Sequence, residues 1–233
     1  MKRTLCIAVS SALLLASCGS SSEPAHAQAA MPEAAGEVAP PVAPKPAWTA
    51  SRQTAWEELL EEARLNLDIP EGFHLEPGDD NIALPFEARL VSDDQRLEVR
   101  LSVRPLAELQ LHFDDPHSAA PEPNHIFAMM FRAIVEELSP TGIGIESELS
   151  PKALEPYGAS WGALVVLDLR PEVAPGHSEA ILLSLHLEDA SDAYALFLPT
   201  NLKEDGPLIS KAVNCLRYVP LPAASKPATE AAE

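Results

Sequence analysis

Three groups of residues in this sequence have types and spacings that could do chemistry. Gly158-Ala159-Ser160-Trp161-Gly162 spells G-x-S-x-G. That spacing can set a serine hydroxyl on a sharp turn between a buried strand and a helix, where it attacks an acyl carbon while backbone amides hold the oxyanion. His112, Asp114, Asp115, His117 and His125 fall within HFDDPHSAAPEPNH. Imidazole and carboxylate together suit Zn²⁺ or another divalent ion. Cys18 ends the run Leu15-Ala16-Ser17-Cys18 behind an apolar stretch, and its thiol offers a point of covalent attachment.

Each grouping needs elements to position it. The serine needs a strand before the turn and a helix after it. The sequence supplies the reverse: SPKALEPY, with two prolines and no buried-strand pattern, precedes Gly158, and the β-branched ALVVLDL follows Gly162. Only His177 and His186 lie downstream as partners for Ser160. Ser160 is therefore expected in a turn where Gly158 and Gly162 allow a tight backbone and Trp161 packs on the core. A hydrolase using Ser160 is the alternative.

The histidine loop leads into a helix for which Asn124 is the expected N-cap, with His125 in its first turn. Its ligand spacing matches no common metal site, and three prolines stiffen it. The expectation is a recognition loop, with divalent-metal binding through residues 112–125 as the alternative. No H-E-x-x-H, paired C-x-x-C, Walker loop or EF-hand spacing occurs, so no cofactor is expected.

Cys18 belongs to the N-terminus. Lys2 and Arg3 precede an apolar run from Leu5 to Ala16, too short to span a bilayer and of the length of an export signal. The run ending in Leu15-Ala16-Ser17-Cys18 resembles the lipobox of bacterial lipoproteins. The resemblance implies cleavage after residue 17, acylation of Cys18 and a lipid bilayer as partner. Gly19, in place of an inner-membrane retention aspartate, implies the outer membrane of a Gram-negative cell envelope.

Residues 18–47 are rich in Ala, Pro and Ser without periodicity, and are expected to form a disordered tether reaching about 80 Å. Residues 221–233 are similarly biased, which leaves 48–220 as a single domain. The chain carries a formal net charge of −19, and loss of Lys2 and Arg3 would make it two units more negative. Nucleic acid is excluded as a partner on that balance. With Cys6 in the leader and Cys18 acylated, Cys215 stands alone and is expected as a buried small hydrophobe.

Within the domain, Thr54 and Glu57 read as a capping box for a helix over 54–67, with Trp56, Leu59, Leu60, Ala63 and Leu67 as its apolar stripe. Phe86, Ala88 and Leu90 alternate, SDDQ turns the chain, and Leu97, Val99, Leu101 and Val103 alternate back as an antiparallel hairpin. A helix follows from Asn124 to Leu138. GIGIESELS, SWGALVVLDLR, SEAILLSLHLED and AYALFLP read as four strands, the last pair joined by DASD, and a final helix covers about 206–216.

Strands in blocks with helices between them predict an α+β fold, an antiparallel β-sheet covered by helices. Over residues 68–219, IPEGFHLEP, the hairpin, the mid-domain helix, the meander ending in SEAILLSLHLEDASDAYALFLPT and the terminal helix resemble the Mog1/PsbP-like α/β/α sandwich. That resemblance implies a binding or accessory scaffold and transfers no functional residue. The expected function is a membrane-tethered envelope lipoprotein, a non-enzymatic module with a protein partner.

Overall fold

Alternating apolar residues make the strands here, and the order in which they pair sets where everything else lies. A computed structural model describes residues 47–79, 85–107, 109–110, 117, 119, 121–142 and 144–220. The sheet contains β2 (Phe73–Asp79), β3 (Phe86–Ser92), β4 (Leu97–Pro105), β5 (Gly144–Glu148), β6 (Trp161–Asp168), β7 (Glu179–Leu187) and β8 (Ser191–Pro199). All neighbours are antiparallel, in the order β2-β3-β4-β8-β7-β6-β5. Two meanders, β2 to β4 and β5 to β8, thus meet where Leu97 to Pro105 pair with Pro199 to Ser191. The fold is α+β on an antiparallel sheet.

Both faces of the central strands are covered, which is why every residue of β8 is buried. One face packs Val99, Leu101, Leu183, Leu185, Ala195 and Phe197 beneath α1 (Ala50–Glu62), a short terminal ribbon and α4 (Gly206–Ala212). The opposite face packs Val165, Leu182, Leu196 and Leu198 beneath Phe131, Val135 and Leu138 of α2 (Phe127–Leu138). Two further short helices, α3 (Pro151–Leu154) and a 3-10 turn at Glu155–Tyr157, precede β6.

Several local expectations are corrected. The first helix begins earlier, because Thr49 rather than Thr54 is its cap: the Thr49 side chain accepts a hydrogen bond from the Arg52 amide, while Thr54 Oγ1 donates back to the Ala50 carbonyl at 3.0 Å. It also ends earlier, where Arg64 turns the chain at φ 59°. Leu67 is therefore not on a helix but in β1 (Leu65–Leu67), paired with β9 (Leu216–Tyr218). The last helix likewise stops at Ala212, since residues 216–218 are needed for that ribbon. Tyr218 anchors it by donating to the Ser191 carbonyl at 2.8 Å, and Ser191 Oγ donates to the Ala63 carbonyl at 2.9 Å.

β2 carries no clear alternation and was not an expected strand. Gly78 permits it: a Cβ there would lie 1.7 Å from the Phe86 carbonyl oxygen. The β3–β4 turn holds as expected, with Ser92 Oγ donating to Asp94 and accepting from the Arg96 and Leu97 amides. Hydrogen bonds from Arg96 and Ser92 hold the Asp94 carboxyl down at about 2. Cys215 is buried, as expected, and burial pushes its thiol up to about 12. Among the described residues no helix is long and apolar enough to cross a membrane.

Candidate functional site

Ser160 immediately precedes β6, after a helical turn. Gly158 takes the left-handed conformation at φ 62°, closing the 3-10 turn, and Gly162 lies in the strand with Leu149, Leu154 and Leu185 about its Cα. The order is helix, turn, strand. The Ser160 hydroxyl donates to the His186 carbonyl at 3.0 Å and accepts from the Glu188 amide at 3.1 Å. Its own amide also donates to the His186 carbonyl, at 2.9 Å. Ser160 thus extends the β6–β7 ladder by one residue.

Neither candidate imidazole is bonded to that hydroxyl. Nδ1 of His177 lies 3.1 Å from the Pro199 carbonyl. His186 is buried, with Nδ1 2.8 Å from Asp192 Oδ1 and its ring stacked on Phe127 at 4.2 Å between centroids. Trp161 packs beside them, 4.7 Å from the Phe127 ring and 6.0 Å from that of Phe131.

Of the histidine loop, His112, Asp114 and Asp115 lie outside the described residues. His117 is at a turn, and His125 ends a 3-10 turn at Pro123–His125, with its Nδ1 2.5 Å from Glu122 Oε2. Asn124 does not cap α2. Its amide instead grips the β7–β8 turn: Nδ2 donates to Asp189 Oδ1 at 2.8 Å and Oδ1 accepts from the Asp189 amide at 2.9 Å. Among the described residues no three His, Cys, Asp or Glu side chains converge as a metal site would require.

The structure assembles a different constellation, on the α2 face of the sheet. Register aligns Arg104 on β4 with Asp192 on β8 and His186 on β7. Asp192, expected in the tight acidic DASD turn, is 1 % exposed in β8, held by His186 on one oxygen and by Arg104 on the other. A carboxylate this deep requires both partners. One rung along, Ser102, Tyr194 and Ser184 align, followed by Arg100, Leu196 and Leu182.

A cavity of about 130 Å³ opens between these rungs and α2. Phe86, Met130, Ile134, Leu182 and Leu196 give it an apolar lining, and Arg100, Ser102, Arg104 and Tyr194 its polar one. Arg100 is held in place by donating to Glu98 at 2.7 Å and to the Val173 carbonyl at 2.8 Å, and its guanidinium lies 5.0 Å over the Phe86 ring. Among the described residues, two buried polar atoms lack any hydrogen-bond partner here, Arg104 Nε and the Tyr194 hydroxyl. Burial raises the Tyr194 hydroxyl above its ordinary pKa, so it stays protonated. A second cavity of about 220 Å³ lies between α1 and the β2–β3 pair, but Trp48 Nε1 and Arg52 on its wall already donate to the Leu75 and Gly78 carbonyls.

The sequence offered one signal for this site, the charged and polar residues that alternate with apolar ones along β4, Arg100 and Arg104 among them. Nothing local marked Asp192 or Tyr194, which acquire meaning only through pairing. No protein-family model, no curated protein and no solved structure matches this chain.

Proposed function

We propose that this chain is an envelope lipoprotein, acylated at Cys18 and carried on residues 18–47, whose domain of residues 48–220 is a binding or accessory module for another envelope protein. The observation that carries the non-enzymatic reading is the state of Ser160. Its hydroxyl is committed to two backbone partners at the end of a strand, and the turn that presents it has the reverse order of a nucleophile elbow. The anchoring reading rests on Leu15-Ala16-Ser17-Cys18 behind its apolar run, and Gly19 favours the outer membrane. Likeness to the Mog1/PsbP-like sandwich belongs to the same proposal. Its support is an antiparallel sheet with helices over both faces.

Two experiments test it. Cys18→Ala should accumulate an unprocessed precursor while the unaltered protein fractionates with membranes; a soluble protein with the mobility of an unlipidated chain starting at Gly19 would refute the anchor. Isolation of the protein from envelope membranes should recover one stoichiometric partner. An isolated monomer that a fluorophosphonate labels at Ser160, with labelling lost in Ser160→Ala, would establish the hydrolase instead.

A further inference from the structure

The cavity beneath α2 is unlike the rest of the interior, because it leaves good hydrogen-bond donors unspent. Tyr194 is 8 % exposed and its hydroxyl has no partner among the described residues. Arg104 Nε is buried and equally unpaired, although another nitrogen of the same guanidinium holds Asp192. An unsatisfied buried polar group is costly, and native proteins retain few of them. Two unspent donors on one small cavity point to an acceptor that arrives from outside.

Chemistry narrows the acceptor. Guanidinium Nε–H donates only, and a neutral phenol donates readily to an anionic oxygen, so the head group is rich in lone pairs. Arginine favours planar carboxylates, and Arg100 stands on the same wall with its side chain 12 % exposed. Glu98 and Asp192 balance the two guanidiniums, so selectivity comes from placed donors rather than from net charge. The remaining lining is apolar, from Phe86, Met130 and Leu182 among others. An engineered protein cavity of about 150 Å³ accepts benzene, so about 130 Å³ suits a body of one ring or a chain of about four to six carbons.

We propose that this cavity binds a small amphiphilic carboxylate, its head accepting from Arg104 Nε and the Tyr194 hydroxyl and its short apolar body lying under Met130 of α2. This goes beyond the protein-binding reading and does not depend on it. Entry is from the arginine side, where Arg104 is 28 % exposed, and the body is driven in by burial of its apolar surface.

Methionine reports on the cavity directly. Met130 lines it, while its neighbour Met129 is 60 % exposed and serves as an internal control. The test is titration of the purified full chain, labelled with ¹³C-methyl methionine and held in phosphatidylcholine nanodiscs where it is membrane-bound, with sodium benzoate. The Met130 methyl resonance should move saturably with an apparent Kd at or below about 1 mM while Met129 stays in place.

Tyr194→Phe, which removes only the hydroxyl, should weaken benzoate by about five-fold or more, and Arg104→Gln by about ten-fold. Toluene and acetate, carrying the body and the head alone, should each bind more weakly than benzoate. The proposal is overturned by absence of a saturable Met130 shift up to about 20 mM benzoate. It is equally overturned by toluene or acetate binding as well as benzoate, or by Tyr194→Phe binding unchanged. Such failure leaves the protein-partner proposal standing, since that is read from envelope isolation and not from Met130.

Discussion

The two faces of the central sheet are made from the same strands and do different work. Odd-numbered residues of β4, Leu97, Val99, Leu101 and Val103, enter a face that is mostly apolar, with Ser191 and Tyr218 hydrogen-bonded where α1 and the β1–β9 ribbon close it. The even-numbered residues beside them, Glu98, Arg100, Ser102 and Arg104, enter a face that is apolar under the C-terminal half of α2 and polar at the other end. That face is stabilised chiefly by the apolar area it buries. A face that buries Asp192 and His186 beside a partly exposed Arg104 carries a desolvation cost that packing did not require.

The largest expected effect lies on the apolar face. Phe197 is fully buried between β4 and β7, and Phe197→Ala should lower unfolding stability by about 3–5 kcal/mol, measured by urea denaturation of the domain signal. Asp192→Asn comes next. It leaves Arg104 and His186 without their shared carboxylate and should cost about 2–3 kcal/mol, less than a fully buried pair because Arg104 reaches solvent. If Asp192→Asn costs as much as Phe197→Ala, or nothing, the contrast between the two faces fails.

Cys215 sharpens the same contrast through pH. The folded chain holds its thiol proton up to about 12, whereas the unfolded thiol titrates near 9.0. The stability due to burial of the neutral thiol is complete below pH 9 and is lost as pH rises, by about 1.4 kcal/mol per pH unit, until the folded thiol ionises. Comparing wild type with Cys215→Ala at pH 8 and pH 10 isolates it from the buried tyrosines. A difference that does not change between the two pH values would show that Cys215 is not sealed.

The smallest effect has the opposite sign. Tyr194→Phe on the ligand-free polar face should raise stability by about 0.5–1 kcal/mol, because it removes a buried hydroxyl with no partner. That is a Tm gain of about 2–3 °C by differential scanning calorimetry. Loss of stability would mean that the hydroxyl is satisfied and the two faces differ less than proposed.

Much of the architecture was legible in the residues. Alternation in 97–103 and the long apolar runs at 161–168 and 179–187 mark strands because a pleated chain presents successive side chains to opposite sides. The SDDQ turn is legible because short polar side chains bond backbone two residues on, as Asp94 does in accepting from the Arg96 amide. The candidate site was legible only in part. Ser160 drew attention through its spacing, whereas the aligned Arg104, Asp192 and Tyr194 come from strands almost ninety positions apart.

What the sequence by itself determined is therefore local: the α+β class, the hairpin, the amphipathic α2, the burial of Cys215 and the strand that follows, rather than precedes, Ser160. Each follows from side-chain period or from groups a few residues apart. Tertiary structure decided the rest. Residues 65–67 and 216–218 became a ribbon because a three-residue strand is stable only beside its partner. Asn124 left the helix end for Asp189 because that turn lies within reach only in the folded chain. Asp192 became a buried acid because β4 supplied Arg104 and β7 supplied His186 on one face, a meeting that depends on strand order and has no signature in neighbouring residues.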